Sequence, residues 1–153
     1  MTNSSFNIVL YEPQIPQNTG NIARLCACTG SSLYLVGKLG FHITDRHVKR
    51  AGLDYWDSVN IQTVSTLTEL QEQFPDSNFY YLSTKATKKY TEITYQKGDF
   101  LVFGSETKGL PEEIILKNHD NSLTIPMLDD QRSLNLSNSV SIVLYEALRQ
   151  VGF

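Results

Sequence analysis

The chain has 153 residues, of which 41% are hydrophobic, and a net charge of -3 at pH 7. This length predicts a single domain, residues 1–153, because a second domain would not fit comfortably in the chain. The mild negative charge excludes RNA binding by bulk charge, so an RNA partner would have to be held by a local basic patch.

Strand-like and helix-like stretches alternate along the chain. Short β-branched and aromatic runs predict about six strands, at Phe6–Tyr11, Leu33–Val36, Val59–Val64, Asn78–Thr84, Asp99–Gly104 and Ser122–Met127. Apolar spacing and capping signals predict helices between them, namely one that ends at Gly30, a short one around Thr44–Gly52, one after Thr66 and Glu69, one opening at Leu110–Glu113 and one along Val140–Val151. The alternation predicts an α/β domain with a mostly parallel sheet, which binds ligands at the carboxyl ends of its strands.

The loop after the fifth predicted strand has the glycine spacing of a phosphate-binding loop. Leu110 and Pro111 follow Gly109 where such a loop has lysine and serine or threonine, which excludes a nucleoside-triphosphate site. Glycine lets a ligand approach the main chain, so Gly104 and Gly109 favour a nucleoside-like ligand without phosphate. A simple strand-to-helix turn is the alternative.

The segment Gln131–Leu148 has more hydrogen-bonding side chains at its start than one helix cap needs. They are Ser133, Asn135, Ser137, Asn138 and Ser139. They follow the apolar residues Ile125 and Met127, so the exits of two strands are expected to form one pocket.

The helix after the first strand carries Asn18, Asn21 and Arg24 at three-residue spacing. These positions share one edge near the helix N-terminus, where anions bind, and a guanidinium suits phosphate. The alternative is that Asn18 or Thr19 caps the helix and Arg24 is a solvated surface charge.

Three segments match a known family in order. "IPQNTGNIARLCACTG", "FGSETKGLP" and "IPMLDDQRSLNLSNSVSIVLYE" resemble the signature motifs of the SPOUT class of RNA methyltransferases, in its 2′-O-ribose branch. The segments "IVLYEPQIPQNTGNIARLCA" and "GLDYW" look closer still to the minimal tRNA (cytidine(34)-2′-O)-methyltransferases, and the resemblance runs from Ile8 to Gly152. It implies a Rossmann-like sheet with a deep C-terminal trefoil knot, a homodimer, an anticodon stem-loop of tRNA as substrate, and S-adenosylmethionine as cofactor with S-adenosylhomocysteine as product.

The resemblance also implies the cofactor residues. The family's contacts fall on Leu82, Gly104, Ile125 and Ser133, with Gly109 in the same loop, Met127 beside the adenine, and Leu134 and Asn135 extending the wall. Glu106 would lie near the methionine part or the catalytic pocket; a helix-capping or surface acid is the alternative.

For catalysis, Arg24 matches the family's functional arginine. An arginine has a pKa above about 12 and is a poor base, so we expect it to hold phosphate or to stabilise developing oxyanion charge. Asn18, Asn21, Ser137, Asn138 and Tyr145 are further candidates for the ribose site. Tyr145 fits a core or interface position equally well.

Basic residues cluster in one loop-rich segment, at Lys38, Arg46, Lys49 and Arg50, with His42 and His47 among them. They are candidates for RNA phosphate contacts, as is a second patch of Lys85, Lys88 and Lys89; a solvated face is the alternative in both cases. No metal site is predicted, because the histidines show no ligand spacing with the cysteines.

Two further features complete the expectations. Ser105 and Lys108 stand where many relatives have proline and arginine, which puts an arginine-specific contact there in doubt.

Cys26 and Cys28 are poorly placed for a relaxed disulfide, and no apolar run reaches the roughly 20 residues of a membrane span, so a reduced, soluble, cytoplasmic protein is expected.

Three functions are compatible with these residues. The first is a methyltransferase acting on the ribose of the tRNA wobble nucleotide, cytidine or modified uridine. The second is a methyltransferase of the same fold with another RNA target, and the third is a non-catalytic RNA-binding module. Arg24 and the asparagine-rich third motif favour the first.

Overall fold

The computed structural model describes residues 5–44, 46 and 56–153. The strands of this part are β1 (Asn7–Tyr11), β2 (Ser32–Val36), β3 (Ile61–Val64), β4 (Phe79–Leu82), β5 (Lys88–Lys89), β6 (Phe100–Phe103) and β7 (Ser122–Thr124). The α-helices are α1 (Pro16–Thr29), α2 (Leu67–Gln73), α3 (Glu112–Lys117) and α4 (Leu136–Val151).

The strands form one sheet in the order β3-β2-β1-β6-β4-β7-β5. Every strand pair is parallel, which confirms the predicted α/β class. The two-residue strand β5 was not predicted, because it lies at the edge of the sheet and two lysines carry no strand pattern. The carboxyl ends of β6, β4 and β7 lie side by side, so the loops that follow them meet at one edge.

The sheet is covered on both faces, as a parallel sheet requires. Successive residues of β1 alternate between the two covers, since Ile8 and Leu10 belong to one apolar cluster and Val9 to the other. The first cluster includes the buried faces of α1 and α4, and the second includes those of α2 and α3. Cys26 is fully buried in the first cluster, and burial raises the pKa of its thiol, which therefore packs as a small apolar group.

Helix ends confirm two of the predicted signals and correct a third. Helix α1 ends at Thr29, and the predicted terminator Gly30 caps it with φ +68° and donates its N–H to the Cys26 carbonyl. The Thr66 hydroxyl caps α2 by accepting the N–H of Glu69 at 3.1 Å. The alternative in which Asn18 or Thr19 caps α1 is wrong: α1 begins at Pro16, and both residues are buried within it.

The described residues contain no helix long and apolar enough to cross a membrane. The helix expected around Thr44–Gly52 lies mostly outside the described residues. Strand β7 ends at Thr124, earlier than expected, so Ile125 and Met127 belong to a loop. The trefoil knot stays a prediction.

Candidate functional site

A cavity of about 420 Å³ lies at the carboxyl ends of β4, β6 and β7. Its walls are three loops that are far apart in the chain, and they contribute residues 82–85, 103–110, 125, 127, 132–134, 136 and 139. This is the edge at which open parallel sheets bind ligands.

The cavity brings together eight of the nine residues expected to contact a cofactor. They are Leu82, Gly104, Glu106, Gly109, Ile125, Met127, Ser133 and Leu134. Asn135 is next in the chain to Leu134 but does not line the cavity. The apolar residues supply a surface for a flat ring, and the glycine loop supplies main-chain groups.

The glycine loop between β6 and α3 folds back on itself. The Ser105 carbonyl accepts the N–H of Gly109 at 3.0 Å, and the Ser105 hydroxyl accepts the N–H of Lys108 at 3.1 Å. A side chain at position 104 would overlap the backbone of Gly109 and Leu110, and Gly109 itself has φ +66°. The serine that departs from the family pattern therefore holds this loop closed through its hydroxyl.

Glu106 lines the cavity and also binds the start of α1. Its carboxylate accepts the main-chain N–H of Gln14 at 2.8 Å and of Ile15 at 2.9 Å. Ile15 is the N-cap position of α1, and its own side chain makes no capping bond. A carboxylate from a distant loop thus satisfies main-chain N–H groups at the start of α1, where negative charge is favoured.

Two buried or bridging asparagines extend this contact to the third loop. The amide of Asn18, only 6% exposed, donates to Glu106 at 3.2 Å. The Asn18 carbonyl accepts from the Asn135 amide at 3.3 Å. Asn135 also caps α4, because its carbonyl oxygen accepts the N–H of Asn138 at 3.2 Å and the hydroxyl of Ser137 at 2.7 Å. Glu106, Asn18 and Asn135, the bridging trio, therefore join all three sequence motifs.

The remaining catalytic candidates divide between the two helices. Asn21 and Arg24 are exposed on α1, Arg24 about 9 Å along the helix axis from Asn18. Ser137 lies in the first turn of α4, beside the trio. Tyr145 lies about 12 Å further along α4, is 47% exposed and packs near the Phe153 ring at 6.1 Å, so it is away from the start of α4 where the trio lies.

The basic candidates are only partly described. Arg46 is exposed, whereas Lys49 and Arg50 lie outside the described residues. In the second patch, Lys88 donates to the Asp120 carbonyl at 2.9 Å, and Lys85 lines the cavity. The described part of the chain contains no group of three or more histidine, cysteine or acidic side chains arranged to hold a metal ion.

Sequence reasoning did not assign Lys108 or Arg132 to the cavity wall as cations. Both line it, together with Lys85. The rule that loops at the carboxyl ends of neighbouring strands converge would have found them, had the order of β6, β4 and β7 been known.

Comparisons with known proteins find relatives of similar sequence and similar fold. The family model for the SpoU rRNA Methylase family matches residues 5–145. A tRNA (cytidine(34)-2′-O)-methyltransferase of Saccharophagus degradans is 50% identical over 97% of both chains. A solved structure from work on the 2-OH methylation of C/U34 on tRNA is 39% identical over 95% of both chains, with a TM-score of 0.91. The SpoU methyltransferase AviRb of Streptomyces viridochromogenes, solved in complex with AdoMet, has a TM-score of 0.85 at 22% identity over 99% of this chain and 60% of its own, a likeness of fold.

Proposed function

The chain belongs to the SpoU rRNA Methylase family, and we propose that it methylates the ribose 2′-hydroxyl of the wobble nucleotide, position 34, of tRNA with S-adenosylmethionine. The observation that carries this proposal is the match, over 97% of each chain, to a tRNA (cytidine(34)-2′-O)-methyltransferase at 50% identity. The cavity at the carboxyl edge of the sheet, lined by the loops of the second and third motifs, supports it. A cytoplasmic location follows from the substrate.

The residues of the cavity fit this cofactor. About 420 Å³ lies within the range of small-molecule sites, about 300–1,000 Å³. Leu82, Ile125 and Met127 would hold the adenine, and the main chain of the glycine loop with Ser133 and Leu134 would hold the rest. When bound, the cofactor supplies a methyl group already activated by its sulfonium.

Because the donor is activated, the chain's task is to position the ribose and to stabilise the charge that develops on its oxygen. Arg24 would hold the phosphate next to the target nucleotide and stabilise that oxygen. Asn21 and Ser137 are proposed to contact the ribose. The hydrogen bonds of the bridging trio fit a different role, which is to hold α1, and with it Arg24, against the cavity.

We also propose that the chain acts as a homodimer and that α4 forms part of the interface. Ile142, Tyr145 and Phe153 are 36%, 47% and 72% exposed, and Ile142 and Tyr145 are three residues apart on one helix. A second copy of the chain would enlarge the surface that can contact a tRNA. The basic segment with Arg46, Lys49 and Arg50 is proposed to contact the anticodon stem-loop.

The assay that tests the activity is transfer of labelled methyl groups to purified tRNA, followed by mapping of the ribose methyl group. Methylation at position 34 is expected, and methylation elsewhere in tRNA, or of ribosomal RNA alone, would overturn the substrate assignment. Failure to bind S-adenosylmethionine in calorimetry would overturn the enzyme assignment.

Arg24 gives the sharpest test of the mechanism. We expect Arg24→Ala to lower kcat at least about 100-fold, as loss of an oxyanion-stabilising group does, with cofactor binding retained. Arg24→Lys keeps the charge without the fork, and Lys117→Ala, which removes an exposed cation of α3, is the matched control. Wild-type activity in Arg24→Ala would remove this residue from the site.

The dimer is tested by sedimentation of Tyr145→Glu and Ile142→Glu. Both are expected to shift the protein toward monomer. Leu116→Glu, which alters an exposed leucine on α3 (67% exposed), is expected to leave the dimer intact. A monomeric wild type would contradict the proposal.

A further inference from the structure

Three cationic side chains converge on the cavity from three different loops. Lys85 follows β4, Lys108 belongs to the glycine loop after β6, and Arg132 precedes α4. All three are exposed, and none takes part in an ion pair within the described residues. We call these residues the cationic rim.

The charges of the rim are not neutralised by the cavity itself. Glu106 is the acidic residue of the cavity lining, and both of its oxygens accept hydrogen bonds from the Gln14–Asn18 segment. Asp129 and Asp130 precede Arg132 but do not line the cavity. Neither forms an ion pair with Arg132 in the described part of the chain. The cavity mouth therefore carries an excess of positive charge on a chain whose net charge is -3.

The proposed cofactor does not account for this charge. S-adenosylmethionine carries a sulfonium and an ammonium cation against a single carboxylate, so its net charge is positive. A rim of unpaired cations repels such a molecule as a whole, and one carboxylate needs at most one of them. The ligand that suits the rim is an extended anion with several phosphates.

We propose that the cationic rim binds the phosphodiester backbone of the RNA on either side of the nucleotide that is methylated. The inference rests on the proposed function, since it presupposes an RNA substrate at this cavity. Phosphate contacts hold a nucleic acid without reading its sequence, so the rim strengthens RNA binding at this cavity without choosing among tRNAs. Lys108 performs this task as a point charge, without the fork of an arginine.

Binding of a fluorescent anticodon stem-loop RNA at several salt concentrations tests the inference. Lys85→Ala, Lys108→Ala and Arg132→Ala are each compared with Lys97→Ala and Lys117→Ala, which remove one exposed lysine elsewhere; Lys97 lies at the opposite end of the sheet. All five variants change the net charge equally. Each rim variant is expected to bind the RNA about two- to fivefold more weakly and to lower the salt slope by about one. The controls are expected to match the wild type.

The cofactor provides the second readout. Calorimetry with S-adenosylmethionine is expected to give unchanged affinity in the rim variants, and kinetics are expected to show a higher KM for tRNA with kcat nearly retained. Unchanged RNA affinity and salt slope in all three rim variants would overturn the inference. So would a loss of cofactor affinity with RNA binding intact. Absence of methylation by the wild type would instead contradict the proposed function. The RNA-binding comparison between rim and control variants would still test the rim.

Discussion

Polar side chains line both ends of the parallel sheet, but they are used in different ways. At the amino ends of the strands, a cleft of about 1260 Å³ is lined by hydroxyl and amide groups. Ser5 donates to the Thr29 carbonyl at 2.8 Å, and Asn7 donates to the Gly98 carbonyl at 2.9 Å. These bonds tie neighbouring segments together and use up the groups that make them.

At the carboxyl ends, the smaller cavity of about 420 Å³ is built by bonds between loops, while the three cations at its mouth form no ion pair with any residue that the structure describes. Glu106, Asn18 and Asn135 bond one another across 88 and 117 positions of the chain. The difference shows that volume does not identify a site. The carboxyl end differs in combining a rigid frame with three cations from three different loops.

A methyl group can be added at either end of β6, and the largest effect is expected at the carboxyl end, at Gly104. Alanine at position 104 would overlap the backbone of Gly109 and Leu110, so Gly104→Ala must displace the glycine loop. We expect it to destabilise the protein by about 3 kcal/mol and to abolish cofactor binding. Urea unfolding and calorimetry measure the two effects.

Gly98→Ala is the matched variant at the amino end. Gly98 has φ +91° but open space around it, so alanine there costs only backbone strain, about 1–2 kcal/mol. Cofactor affinity and activity are expected to stay at wild-type levels. If both variants lose cofactor binding equally, the two ends of the sheet are not functionally distinct.

A smaller effect is expected when the frame of the cavity is weakened without touching its lining glycines. Glu106→Ala removes the acceptor of the Gln14 and Ile15 N–H groups, and loss of such a cap costs about 2 kcal/mol. We expect a lower kcat, because α1 carries Arg24, and faster hydrogen exchange at these two amides. Glu112→Ala removes an exposed acid from the first turn of α3 and is the control; equal exchange in both variants would refute the capping role.

The two helix starts show how much of the fold the sequence could predict. Thr66 caps α2 by accepting the N–H of Glu69, three residues away, and such a short-range pattern can be recognised in the sequence. The cap of α1 comes from Glu106, 91 residues beyond Ile15, and no local pattern records it. Asn18 was therefore mistaken for a possible cap, although it is a buried bridge. The sheet could be predicted because strands and helices each leave a local pattern in the sequence. The order of the strands could not, because no local pattern encodes which strands pair.

The site divides in the same way. Gly104, Ile125 and Ser133 were expected at the cofactor because they lie in long motifs that resemble a family. The cationic rim was not expected as a unit, because its members come from loops that only the strand order brings together. Lys108 stood out merely as a departure from the family pattern.

The smallest expected effect is a pH dependence that belongs to the amino end alone. Asp99 directly precedes β6, about 16 Å along the strand from Gly104, and burial raises its pKa above the ordinary 3.8, opposed by hydrogen bonds from Gln96 and Asn78. The folded protein thus holds a proton that the unfolded chain has already released, so this carboxyl favours folding below 3.8 and its contribution is lost as pH rises through the folded value. Urea unfolding of wild type and Asp99→Asn from about pH 3 to 7 is expected to show the wild type losing stability relative to the variant in that window. Methyl transfer by Asp99→Asn is expected to remain normal. A wild type that gains stability relative to the variant as pH rises would contradict the raised pKa of Asp99, and a loss of activity would mean that the two ends of the sheet are coupled.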